Sequence, residues 1–208
     1  MVLLFGMPYP KAKEILTTLR LQLQPPKENA DYSIRTAFQI RYEAAAKNLL
    51  IPISKHRIDL PKAPEIGFLK TLYSKESSFL LPYIETQSLH EAWKRYQNGI
   101  LYPVLGQRLH PFFGTYTPKR TSHLELFATW LHQYKGPKSQ AIDVGTGSGI
   151  LAHLLCKAGF QHVWATDINP NAIKTVQEDS LRLNHRIHAE QTNLLGSSPP
   201  KADLIVFN

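Results

Sequence analysis

A-I-D-V-G-T-G-S-G, at Ala141–Gly149, is the stretch whose reading decides the fold. The apolar run Gln140–Val144 carries an acid, Asp143, near its end. Glycine then occupies every second position, Gly145, Gly147 and Gly149, and an amphipathic helix follows at once over Ile150–Lys157. A strand, a tight glycine turn and a helix start let a backbone approach a nucleotide closely. A second apolar run, His162–Thr166, ends in Asp167, and an acid at the tip of a second strand is placed to hold a ribose diol.

Two details argue against a dinucleotide. The dinucleotide pattern Gly-x-Gly-x-x-Gly needs glycine where this chain has Ile150. Asp143 would also repel a pyrophosphate, whereas a carboxylate suits a ligand with a cationic amine. S-adenosylmethionine has a sulfonium, an ammonium and an adenosine ribose, and no phosphate. With these residues in this order, the stretch resembles the class I S-adenosylmethionine-dependent methyltransferases. The resemblance implies that the turn Gly145, Thr146, Gly147 and Gly149 wraps the methionine and ribose of the cofactor. It puts Asp143 near the ammonium, Asp167 on the ribose hydroxyls and Ile168 on the adenine face. The family's acid at the end of the third strand corresponds here to Asn193-Leu194, where the asparagine carbonyl still accepts one hydrogen bond.

Downstream, the pattern predicts strand 140–144, helix 149–158, strand 162–166, helix 170–184, strand 187–192 and strand 203–207. Asn169-Pro170 is a helix start, with asparagine capping and proline in the first turn. Alternation at this spacing means a parallel sheet, so the fold class is α/β, a Rossmann-like methyltransferase sheet with about four strands. The family sheet has more strands. The apolar edge Leu204–Phe207 therefore suggests an N-terminal part of a longer enzyme.

The fourth strand reads A-D-L-I-V-F-N and ends at Asn208. In one branch of the family this position runs into Asn-Pro-Pro-aromatic, and those enzymes methylate planar NH2 groups: glutamine amides, or the amines of adenine and guanine. Such a nitrogen has a delocalised lone pair. An asparagine oxygen that accepts an N–H bond aims the lone pair at the methyl, which implies a catalytic Asn208. The lead-in Gly114–Phe127 also resembles that branch. Pro118-Lys119-Arg120-Thr121-Ser122-His123 lacks the acids of the release-factor enzymes.

The first half reads as a helical, basic substrate-recognition domain over residues 1–101. Its helices are Lys11–Gln24, Ser33–Leu50, Glu65–Ser74 and Leu89–Leu101, with Pro52–Pro64 as loop. His90, Trp93 and Tyr96 share roughly one helix face, which reads as packing. A hairpin or linker over 102–120 leads into the cofactor domain, 121–208, which opens on a helix at Thr121–Tyr134. Of 24 Lys and Arg, 17 fall in residues 1–120 against 9 of 16 Asp and Glu, so the whole net charge of +8 lies ahead of the cofactor segment. That asymmetry suggests a macromolecular substrate, rRNA, DNA or a ribosome-associated protein. A solvated helical surface explains the charge equally well. The readings left open are methylation of a base NH2, a protein glutamine amide, or a cofactor-binding scaffold without catalysis. No apolar run approaches bilayer length, no targeting leader is evident and no metal-ligand pattern appears. The one cysteine, Cys156, sits among leucines and reads as a packing residue. With no internal disulfide possible, the expectation is a cytoplasmic protein.

Overall fold

The computed structural model describes residues 2–3 and 6–207. The chain forms two compact units, Met1–Trp93 and Lys94–Asn208.

The first unit is not helical alone. Strand β1 (Val2–Leu3) precedes helices α1 (Lys11–Gln22) and α2 (Tyr32–Ala46). Then come β2 (Leu49–Ser54), β3 (Arg57–Ile58), the short α3 (Phe68–Leu72), β4 (Ser78–Pro82) and α4 (Tyr83–Asn98), within which the two units meet along the chain. β2 pairs in parallel with β1 and antiparallel with β3 and β4, making a four-stranded sheet. This corrects the helical reading of the N-terminal half. L-L-I-P-I-S at Leu49–Ser54 contains Pro52, which reads as a breaker, yet the run buries Leu49, Ile51 and Ile53. The proline is tolerated because it falls between the residues paired with β1, Leu49 and Leu50, and those paired with β3, Ile53 and Ser54, while its carbonyl accepts from Asp59 N–H at 2.9 Å. Proline likewise hides β4, which ends at Pro82. α2 stops at Ala46 because Leu49 and Leu50 are drawn into the sheet. Trp93 packs edge-on against Phe68 at 5.0 Å between ring centroids, a packing role for that helix face.

The second unit opens with a hairpin, β5 (Ile100–Tyr102) and β6 (Gln107–Leu109). α5 (Ser122–Gln133) follows, then β7 (Gln140–Val144), α6 (Ile150–Lys157), β8 (His162–Asp167), α7 (Pro170–Leu183), β9 (Ile187–Gln191) and β10 (Leu204–Phe207). The sheet order is β10-β7-β8-β9, with every pair parallel. This is the Rossmann-like arrangement, with β7 and β8 central. Ile142 and Ala165 on these strands are almost fully buried, as expected for strands covered on both faces. Leu154 and Leu155 of α6, Leu124 of α5 and Val176 of α7 complete the core. β10 leaves Ile205 52% and Phe207 72% exposed. Among the described residues, no helix is long and apolar enough to cross a membrane.

Candidate cofactor site

The site is built where β7 and β8 end. Gly145, Gly147 and Gly149 all adopt left-handed backbone, with φ of +69°, +53° and +79°. Side-chain residues rarely hold this conformation, so the alternating glycines are what let the chain turn from strand to helix so tightly. Only the first of them faces open space. A Cβ on Gly145 would meet only Phe207, at 4.0 Å, while one on Gly147 would press the Tyr116 carbonyl at 3.2 Å. Gly149 is tight for packing reasons, since its Cβ would lie 2.8 Å from Val176 Cγ2.

Two carboxylates organise this loop. Asp167 Oδ2 accepts from Gly147 N–H and its Oδ1 from Asn169 N–H, both at 2.9 Å. Asp167 thus ties the glycine turn to the start of α7. Each carboxylate oxygen has a second lone pair for a ribose hydroxyl. Asp143 is 1% exposed. Its Oδ2 accepts from Thr146 Oγ1–H at 2.6 Å and from Ala152 N–H at 3.1 Å. Its Oδ1 is buried with no partner. Burial raises the Asp143 carboxyl to about 6; the bonds from Thr146 and Ala152 hold it down in part, and the Asp167 charge adds to the rise. A buried carboxylate with one unpaired oxygen suits a cationic group, which would both pair that oxygen and stabilise the charged form.

The remaining sequence-derived positions surround this pair. Thr146 N–H donates to the Thr166 carbonyl at 2.8 Å, anchoring the turn to β8. Ile168 is 70% exposed beside Asp167. Asn193 and Leu194 lie exposed just beyond the last bridged pair, Asp167 and Gln191. Leu194 holds a left-handed backbone, φ +50°. Asn208 lies outside the described residues. Its predecessor Phe207 pairs with Val144, so β10 ends at the same edge of the sheet as the glycine turn.

Sequence reasoning named the lead-in from Gly114 but missed that its first residues lean on the turn. Asn169 Nδ2 donates to the Gly114 carbonyl and Asn171 Nδ2 to the Phe113 carbonyl, both at 2.9 Å. Thr175 Oγ1 accepts from Phe112 N–H at 2.9 Å. These bonds from α7 hold the 112–116 segment in place and bring Tyr116 to Gly147. The only sequence signal was the polar spacing Asn169, Asn171 and Thr175 along one helix start. The Tyr102 and Ser148 hydroxyls are buried beside each other at the turn, and Thr166 on β8 adds a buried hydroxyl without a partner. Burial pushes the Cys156 thiol up to about 12, in keeping with a packing residue. Behind the turn, the buried His153 meets His185 with their Nδ1 atoms 2.9 Å apart. One ring must donate and the other accept, so this contact excludes two protons on the pair's facing nitrogens. Burial, and then the neighbouring ring, push His153 down to about 3.

Residues 112–208 match the family model for ribosomal protein L11 methyltransferase (PrmA). The ribosomal protein L11 methyltransferase of Symbiobacterium thermophilum is 38% identical over 121 residues, covering 56% of this chain and 38% of that relative. The Lactobacillus acidophilus protein of the same name is 30% identical over 158 residues, covering 66% of this chain and 49% of its own. A crystal structure of ribosomal protein L11 methylase from Lactobacillus delbrueckii subsp. bulgaricus aligns with a TM-score of 0.41 and 29% identity, covering 51% of this chain and 56% of that one. The chain thus spans less than half the length of these two curated relatives. The matched segment, residues 112–208, is similar in sequence to methyltransferases of this kind. The glycine cradle and the unpaired Asp143 oxygen fit S-adenosylmethionine.

Proposed function

We propose that this chain carries the cofactor site of an S-adenosylmethionine-dependent N-methyltransferase whose acceptor is a ribosomal protein of the L11 type. The observation that carries the proposal is the left-handed glycine turn clamped by Asp167 over a buried, half-satisfied Asp143, in the segment that matches the L11 methyltransferase model. The acceptor differs from the nucleic-acid base that the charge distribution suggested. The names of the similar proteins point to a protein substrate, and none of the curated relatives quoted is named for a nucleic acid.

When bound, S-adenosylmethionine supplies an electrophilic methyl whose bond to sulfur breaks with the electron pair going to sulfur. The residues of this chain hold and orient. Asp143 would pair the ammonium through Oδ1, Asp167 the ribose hydroxyls, and Ile168 would cover the adenine. Gly145 would leave room for the methionine chain, and Gly147 lets the Tyr116 segment pack against the turn as one wall. Asn193 would accept from the adenine amine. We further propose that Asn208 accepts an N–H bond from the acceptor nitrogen and so aims its lone pair. A strong base is not required, because the nitrogen becomes cationic before its proton leaves for water.

The test is transfer of a radiolabelled methyl group to ribosomal protein L11 or to 23S rRNA fragments, each incubated with the protein. The proposal expects label in the protein band that protease removes. Label that ribonuclease removes would overturn the acceptor assignment.

A further inference from the structure

In the first unit, a cavity of about 690 Å³ lies beside the β2–β3 turn and the following loop. Lys55, Arg57, Lys62 and Lys70 line it, with His56 and a single acid, Glu65. Among the described residues none of the four cations makes an ion pair, so their charge is not spent within the fold.

The backbone under three of these residues is unusual. Lys55, His56 and Lys62 have φ of +48°, +60° and +57°, in the left-handed region. Lys55-His56 is the two-residue link between Ser54 and Arg57, which pair across the hairpin. Left-handed backbone at both positions of such a link favours Asn-Gly. Lys62 follows Pro61 in a turn, where a positive φ favours glycine. Local conformational preference therefore opposes the residues present at all three sites. The backbone is nonetheless pinned there: Lys55 N–H donates to the Ser77 carbonyl at 2.7 Å, and His56 Nε2 lies 3.1 Å from the Tyr73 carbonyl. Strain retained at several neighbouring positions motivates a functional reading, and here all three residues line one cavity.

We propose that this cavity is a binding site for the phosphodiester backbone of a nucleic acid. Three of its four cations are lysines, point charges suited to phosphate, whereas planar carboxylates select arginine forks. No Phe, Tyr or Trp ring is among its lining residues, so it reads phosphate and does not stack bases. The site stands apart from methyl transfer: a chain that grips a nucleic-acid backbone here still methylates a protein elsewhere.

The test uses the whole chain and fluorescence anisotropy with a labelled mixed-sequence ribo-oligonucleotide of about 16 nucleotides, over low to physiological salt. The key variant combines Lys55→Asn, His56→Gly and Lys62→Asn, residues that the turns themselves prefer. It is expected to melt at the same or a higher temperature than the wild type while losing at least tenfold in affinity at low salt. It should also show a shallower salt dependence. A control combining Lys27→Ala, Arg35→Ala and Lys47→Ala, exposed cations away from the cavity, should change affinity less than threefold. DNA of the same sequence should bind within about threefold of RNA, since phosphate alone is read. No binding by the wild type at low salt would overturn the proposal. So would equal losses in the two variants, tighter binding of polyglutamate than of the oligonucleotide, or competition by a free mononucleotide at micromolar concentration.

Discussion

Replacing Asp143 with asparagine separates what the residue costs the fold from what it does for a ligand. Its carboxyl moves from an ordinary value near 3.8 to about 6, chiefly through burial. A raised carboxyl means the folded chain prefers the neutral form. The penalty is absent below the unfolded value, grows as pH rises through 6, and then holds steady. Two units at about 1.36 kcal/mol each give about 3 kcal/mol at neutral pH. Asparagine keeps an oxygen to accept from Thr146 and Ala152 and removes the charge. It also buries an NH2 where Oδ1 now lies unpaired, returning about 1–3 kcal/mol of that gain. Asp143→Asn is therefore expected to leave the ligand-free protein equally stable or up to about 2 kcal/mol more stable at pH 7.5. Its affinity for S-adenosylhomocysteine should fall roughly tenfold or more, the scale of a lost charged hydrogen bond. Urea unfolding and calorimetry on the same samples measure both quantities. A variant more than about 1 kcal/mol less stable, with unchanged affinity, would refute the reasoning, because Asp143 would then be a structural acid.

Other changes probe the rest of the unit. Gly149→Ala forces a side chain into a left-handed position 2.8 Å from Val176, and urea unfolding should show a loss of about 2–4 kcal/mol. His153 is held near 3, below its ordinary value, so the folded state resists its protonation and stability falls as pH drops below about 6.5 toward 3. Between pH 7 and 5 this contributes a loss of about 2 kcal/mol, partly offset by Asp143, and His153→Gln should remove the loss from the unfolding curves. Asn208→Ala should leave S-adenosylhomocysteine affinity intact in calorimetry while lowering methyl transfer roughly 10²-fold.

The parallel sheet was legible because both-face burial leaves a plain mark. Gln140–Val144 and His162–Asp167 are short, mostly apolar runs with an acid at or next to the end and a turn after it, and the structure places strands there. Asn169-Pro170 marked the start of α7, and the Asn169 side chain does accept from Asn171 N–H. The sheet of the first unit was hidden because Pro52 and Pro82 interrupt or close its strands, and proline reads as loop unless the partner strand is known. The β2–β3 turn was hidden for a related reason, since Lys55-His56 carries neither glycine nor asparagine. In the candidate site, the positions contributed by the glycine turn were visible because they are contiguous. Tyr116 was not, because bonds from Asn169 and Asn171, more than 50 residues downstream, bring its segment to Gly147.

The central claim is that the turn from Gly145 to Gly149, with Asp143 and Asp167, holds S-adenosylmethionine. Calorimetric titration of S-adenosylhomocysteine into the wild type, Gly147→Val and Asp167→Ala tests it most directly. The account predicts one site in the wild type, no detectable binding in a folded Gly147→Val, and a loss of about tenfold or more in Asp167→Ala. Absence of binding by the folded wild type, or equal affinity in all three proteins, would contradict it.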